Sequence, residues 1–364
     1  MPIAAAPART ASTTWRFLLL GAVFSLGPVA TTSAMTINTT YAASVNNLAN
    51  AAAVKAAFQG AANVFQGMFT NAVTVNIQVG WGEVLGSPVT TLGTAAIAGY
   101  GTYSYSQMQS ILRASATSES DKTAYASLPA SSPIGAGTYT LTPAPAKALG
   151  VAGASSAIDG YIGFGAGYGF DFNRGDGIAT GQYDFIGVAL NEISHVLGRV
   201  SGLYGTAATN GLAIDLFRYN AAGKTSFNYN ESAYFSIDAG VTNLATFNAS
   251  GTADRDSWIS TPGDAFSAYA TPGVINDLSV ADKIVMDVLG WNTMPATTTT
   301  VAVATTTSAK PAKTQSGNPS RRSMETLDGA IYDISEVPEP ASMALLGTAL
   351  LGLGALSRRR KAAA

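Results

Sequence analysis

The chain has no cysteine, and that absence removes disulfide staples, thiolate nucleophiles, cysteine-ligated zinc and iron–sulfur clusters together. A single histidine excludes any mechanism that needs two imidazoles from one chain. Charge is scarce: Asp, Glu, Lys and Arg make up 12% of the 364 residues, about half the usual share. The 20 basic side chains stand against 22 acidic ones, so there is no basic excess to neutralise phosphates, and no nucleic-acid partner is expected. What the chain has in quantity is apolar or small. Hydrophobic residues reach 47%, sufficient for a packed core, and Gly, Ala, Ser and Thr supply the uncharged surface that suits an exported protein.

Both ends carry targeting patterns. Arg9 and Arg16 flank the start of an apolar run, Phe17 to Ala30, and Thr32-Ser33-Ala34 closes it with small residues. Positive, apolar and small segments in that order predict a secretory signal peptide over 1–34. The run is short and Pro28 interrupts it, which argues against a permanent membrane anchor there. At the other end Val337-Pro338-Glu339-Pro340 leads into an uncharged run, 341–356, stopped by Arg358, Arg359 and Arg360. An apolar segment closed by a basic cluster predicts a single transmembrane segment with a stop-transfer signal. Between core and tail, 294–336 holds Thr297 to Thr300, Thr305 to Thr307 and Lys310-Pro311-Ala312-Lys313. Such a stretch has too little apolar surface to offset its ordering entropy and is expected to be a disordered Thr/Ser/Pro-rich linker. The ectodomain is therefore 37–293.

The tail resembles the PEP-CTERM sorting signal: Pro338-Glu339-Pro340, one apolar helix and an arginine cluster follow in order within 337–361. The resemblance implies an exported protein of a Gram-negative bacterium, recognised by a membrane sorting protease. It also implies membrane anchoring through the C-terminal segment, at least transiently, and delivery to the cell surface or extracellular matrix.

Within the ectodomain, apolar residues at helical spacing from Ser44 to Met68 predict a helix or helix pair. Strict alternation of Val73, Val75, Ile77, Val79 and Trp81 predicts a half-buried strand, and further strands are expected at 138–141 and 160–164. Residues 165–181 are rich in glycine and must turn; Asp171 to Gly177 offers oxygen donors for Ca2+, although the glycine and aspartate positions do not match an EF-hand loop, and an ordinary Asx turn is the competing reading. Asp184 is placed to cap a helix over 185–200, with Ile186, Leu190, Ile193, Leu197 and Val200 as its core stripe. Asn191, Glu192 and His195 lie on a neighbouring stripe, Asn191 and His195 one turn apart. Ser279 to Asp282 forms a capping box for a last helix, which Gly290 ends.

Residues 185–198, Phe-Ile-Gly-Val-Ala-Leu-Asn-Glu-Ile-Ser-His-Val-Leu-Gly, resemble the active-site helix of zincin metallopeptidases, whose motif is His-Glu-x-x-His with a following glycine turn in the metzincin-like branch. Asp215 to Tyr219, Tyr234 to Asp238, Asp264 to Phe266 and the closing helix resemble the C-terminal half of exported zincin-like proteins. The resemblance implies an α+β fold with a mixed twisted sheet and an active-site-type helix. It assigns Glu192 as general base and His195 as a Zn2+ ligand, acting on a peptide or protein substrate. Asn191 stands where the first zinc-binding His belongs, and Ser201 where a third ligand is expected. A carboxylate would have to complete a metal set, and Asp215 is the candidate by its position. Two functions stay open: a surface-sorted metallopeptidase or its degenerate relative, and a non-catalytic surface or matrix-associated protein.

Overall fold

A computed structural model describes residues 35–203, 208–249 and 253–293. The expected signal peptide, linker and transmembrane segment 341–356 lie outside the described residues, among which no helix is long and apolar enough to cross a membrane. The principal elements are β1 (Thr36–Tyr41), α1 (Ala51–Met68), β2 (Thr74–Trp81), β3 (Gly93–Ala96), α2 (Tyr105–Ala114), α3 (Glu119–Ala126), β4 (Thr138–Leu141), β5 (Gly160–Phe164), α4 (Phe185–Val196) and α5 (Val280–Val288). The architecture is mixed α+β, as expected.

The sheet that carries the site has the order β1-β2-β5-β3, the first three strands parallel and β3 antiparallel on β5. β2 is an interior strand rather than a half-buried one. Its β-branched Val75, Ile77 and Val79 are buried, and so is Asn76 on the alternate face. Asn76 is tolerated there because every polar reach is met: its N–H donates to Asp159 Oδ2 and its amide to Ser155 O and Ala157 O. Parallel pairing of β1 and β2 needs a crossover, which α1 supplies. Its buried face, Val54, Ala57, Phe58, Ala61, Ala62 and Phe65, keeps helical spacing. The expected helix over 44–68 is a pair, with a short helix at Ala43–Asn46 preceding α1.

α4 packs between α1 and β3. Phe185 at its start meets Phe164 of β5 with ring centroids 4.5 Å apart and Phe172 at 4.9 Å, so the helix is anchored by an aromatic cluster at its entry. Two sequence expectations need correction here. Asp184 stands at the N-cap position but makes no side-chain cap bond; its carboxylate accepts Arg174 Nε at 2.9 Å and the Asn276 N–H at 2.8 Å. A charge-assisted bond to a guanidinium outcompetes one neutral helix N–H. The helix also stops at Val196, short of Val200, because Gly198 takes φ +102° and reverses the chain.

α5 has the expected capping box: Ser279 Oγ accepts from the Asp282 N–H and Asp282 Oδ2 accepts from the Ser279 N–H. It runs Val280–Val288, and Gly290 follows with φ +101°. Trp291 then donates its Nε1–H to Leu197 O at 2.7 Å, tying the end of the domain to the end of α4.

Candidate functional site

α4 is buried on nearly all sides, so the stripe that carries Asn191, Glu192 and His195 is as sheltered as the core stripe. His195 has no solvent exposure and Glu192 is 2% exposed. The turn at Gly198 sets the ring. It brings the carbonyl of Arg199 back to within 2.7 Å of His195 Nδ1, and because a carbonyl only accepts, Nδ1 carries the proton. The Nε2 lone pair is thereby turned toward the protein interior, where no hydrogen-bond partner meets it.

What faces Nε2 comes from a distant segment. Asp254 Oδ2 lies 3.9 Å from Nε2, and Asp256 Oδ2 lies 4.0 Å from Nδ1. In Asp254-Arg255-Asp256 the two carboxylates turn toward His195, while Arg255 turns away, stacks over the Tyr229 ring at 3.9 Å and donates Nε–H to Tyr229 O. Asp256 Oδ2 accepts the Ser201 N–H at 2.8 Å, which holds the segment against the turn after α4. The three ligand atoms of His195, Asp254 and Asp256 lie within 4.8 Å of one another, and all three residues are buried. Asp254 Oδ2, Asp256 Oδ1 and Glu192 Oε2 join His195 Nε2 as buried atoms without a hydrogen-bond partner.

The electrostatics are one-sided. Burial, then Asp254 and Asp256, holds the Glu192 carboxyl well above the ordinary carboxylate range. Burial and Asp256 do the same to Asp254, with Arg255 opposing. That shift favours the protonated form, and positive charge beside Glu192 would favour the carboxylate that a general base needs. Its other boundary is β3: a Cβ built on Gly93 would collide with the Glu192 carboxylate and stand 2.8 Å from its Cγ, so the glycine is what lets the edge strand lie over this side chain.

A second network supports the turn. The Arg199 guanidinium sits 3.2 Å over the Phe266 ring and 4.5 Å from the Trp258 ring, pairs with Asp282 of α5, and donates to Asp256 O at 3.2 Å. Trp258 Nε1 also donates to Asp282 Oδ1. One buried arginine thus joins the end of α4, the Asp254–Asp256 segment and α5.

The residues expected from the sequence divide accordingly. Glu192 and His195 are in the cluster. Asn191 donates its Nδ2–H to Ala265 O at 3.0 Å, a bridge to the 264–267 loop that uses the amide nitrogen and not Oδ1. Asp215 is fully buried elsewhere, accepting from Ser201 Oγ at 2.6 Å and from the N–H groups of Gly202 and Leu212 at 2.8 Å. The group of possible metal ligands gathered around His195 among the described residues contains Asp254 and Asp256 but not Asp215, so Asp215 does not complete a donor set with His195 here. Ser201, at the position expected for a further ligand, gives its hydroxyl to Asp215 and its N–H to Asp256. In the Asp171–Gly177 loop the carboxylate of Asp171 accepts from the N–H groups of Asn173 and Ala179, and Asn173 Oδ1 accepts from Gly175: an Asx turn whose oxygens are engaged.

Asp254 and Asp256 are the residues sequence reasoning missed. The mark they leave in the sequence is compositional: acid, base and acid stand at consecutive positions in a charge-poor chain, in a segment that turns at 255–256.

A family model for the PEP-CTERM protein-sorting motif matches residues 336–361, covering Val337, Pro338, Glu339, Pro340 and the arginine cluster at 358–360. No curated protein and no solved structure matches the chain. The motif marks exported proteins held in the membrane through the C-terminal region before release or surface display, and it implies recognition by a sorting protease.

Proposed function

We propose that the chain is an exported, surface-displayed protein whose ectodomain keeps the body of a zincin-like hydrolase but works without peptide hydrolysis. The sorting motif supports the destination. The zincin-like reading draws support from a sheet with three parallel strands and one antiparallel edge strand, and from a helix beneath it that carries Glu192 under Gly93 and His195 one turn further on. The observation that supports the loss of hydrolysis is Asn191: at the position of the first zinc-binding imidazole stands an amide, whose oxygen is a weaker donor to Zn2+ than an imidazole nitrogen. One imidazole and one amide are a poor trap for Zn2+ in a catalytic geometry, which takes three strong protein donors and an open position.

The test is hydrolysis of fluorogenic peptides and unfolded protein by the full-length chain with Zn2+ or Mn2+ supplied, compared with Glu192→Ala. The expected result is background turnover in both. Turnover that Glu192→Ala abolishes, with the fold intact by circular dichroism, overturns the proposal in favour of a metallopeptidase.

A further inference from the structure

The geometry points to a divalent transition-metal site built from His195 Nε2 of α4 and the carboxylates of Asp254 and Asp256, acting as a staple between helix and loop. Three independent observations support it. One donor atom from each of the three residues lies within 4.8 Å of the other two, and Asp254 Oδ2 stands 3.9 Å from Nε2, close enough for an ion to draw the groups together. Nε2, Asp254 Oδ2 and Asp256 Oδ1 are buried with no hydrogen-bond partner, a costly arrangement that one cation would relieve at all three atoms. And the ring is already oriented by its Nδ1–H bond to Arg199 O, the support that histidine ligands commonly carry.

Donor chemistry selects the class of ion. An imidazole nitrogen with two carboxylates suits Zn2+ or Mn2+, whereas Ca2+ and Mg2+ take oxygen donors. The purpose follows from the composition. In a chain without disulfides, an ion joining residues so far apart in the sequence is a cross-link that ties the 253–267 segment to α4. The site shares His195 with the zinc set that the helix motif implies but replaces Asn191 and Asp215 with Asp254 and Asp256. It does not rest on the absence of hydrolysis: a bound ion without turnover leaves both readings standing, and a bound ion with Glu192-dependent turnover removes only the proposed function.

The full-length chain, stripped with EDTA, is titrated separately with Zn2+, Mn2+ and Ca2+ and followed by thermal unfolding and by elemental analysis after desalting. The expected result is about one Zn2+ or Mn2+ per chain, with a rise in melting temperature of about 5–10 °C at a hundredfold excess over Kd. Asp254→Asn and Asp256→Asn each lower affinity by at least about a hundredfold. Asp171→Asn, in the other acidic loop, binds as the natural chain does. No stoichiometric ion, a response to Ca2+ alone, or unchanged affinity in both aspartate variants overturns the inference. If the variants do not fold, anomalous scattering at the zinc edge from crystals of the natural chain decides it: an ion about 2.0–2.1 Å from His195 Nε2 is expected, and one bound elsewhere contradicts it.

Discussion

The His195 ring donates from Nδ1 to the carbonyl oxygen of Arg199, four residues on and across the turn at Gly198, at 2.7 Å. That bond fixes which nitrogen of the only histidine is free, and Arg199 in turn is fixed by its burial between Trp258, Phe266 and Asp282.

Asp282→Asn is therefore expected to destabilise the domain by about 3–5 kcal/mol, since it leaves the buried Arg199 charge without its carboxylate. Urea unfolding of the variant measures this. A loss below about 1 kcal/mol would show that the aromatic rings, not Asp282, hold the guanidinium.

The contact between Gly93 and Glu192 predicts a coupled pair. Gly93→Ala alone should cost about 1–3 kcal/mol, because the new Cβ meets the Glu192 side chain beneath the edge strand. In a Glu192→Ala background most of that cost should vanish, and a double-mutant cycle reads the difference. Additive losses would mean that β3 is pushed off by its backbone and not by Glu192.

Asp264 predicts a pH dependence. Burial first, then Asp282, pushes its carboxyl up from 3.8 to about 6, against the Phe266 N–H, Ser279 and Arg199, which pull it down. The folded state thus holds this proton more tightly than the unfolded chain does. The stability this contributes is fully present below the ordinary aspartate value and is lost as pH rises through about 6, an effect on the order of 2–3 kcal/mol. Thermal unfolding across pH 4–7 should show a decline in the natural chain that Asp264→Asn flattens. Parallel curves would remove Asp264 as the source.

Much of this architecture could be read locally. The alternation around Ile77 and the capping box at Ser279 are short-range patterns, and a strand and a helix formed there, whereas the helix expected to reach Val200 ends at Val196 before the turn at Gly198. β1 and β3 were not legible, because the Gly93–Ala96 segment is small-residue sequence that becomes a strand only by pairing with β5. The site divided in the same way. Glu192 and His195 belong to one helical motif, but Asp254 and Asp256 reach it only through tertiary packing around Arg199 and Ser201, and no periodicity marks them. Asp215 misled by position along the chain: its own turn N–H at Leu212, the Gly202 N–H and Ser201 Oγ occupy its carboxylate.

At the other end of the chain, replacing Arg358, Arg359 and Arg360 together by serine should leave the exported ectodomain folded but abolish its processing at the membrane, because the basic cluster is what stops and orients the apolar run. Fractionation and immunoblotting of the variant should show full-length chain accumulating in place of the shortened surface form. Normal processing would place the recognition wholly in Pro338-Glu339-Pro340.

The most direct test of the account uses the lone histidine. With 15N-labelled imidazole, the full-length chain gives one side-chain signal pair, so nothing needs assignment by mutation. Stoichiometric Zn2+ is predicted to shift the Nε2 resonance in slow exchange while Nδ1 keeps its proton and its bond to Arg199 O. An Nε2 signal that does not respond to Zn2+ would contradict a metal centre at His195, Asp254 and Asp256.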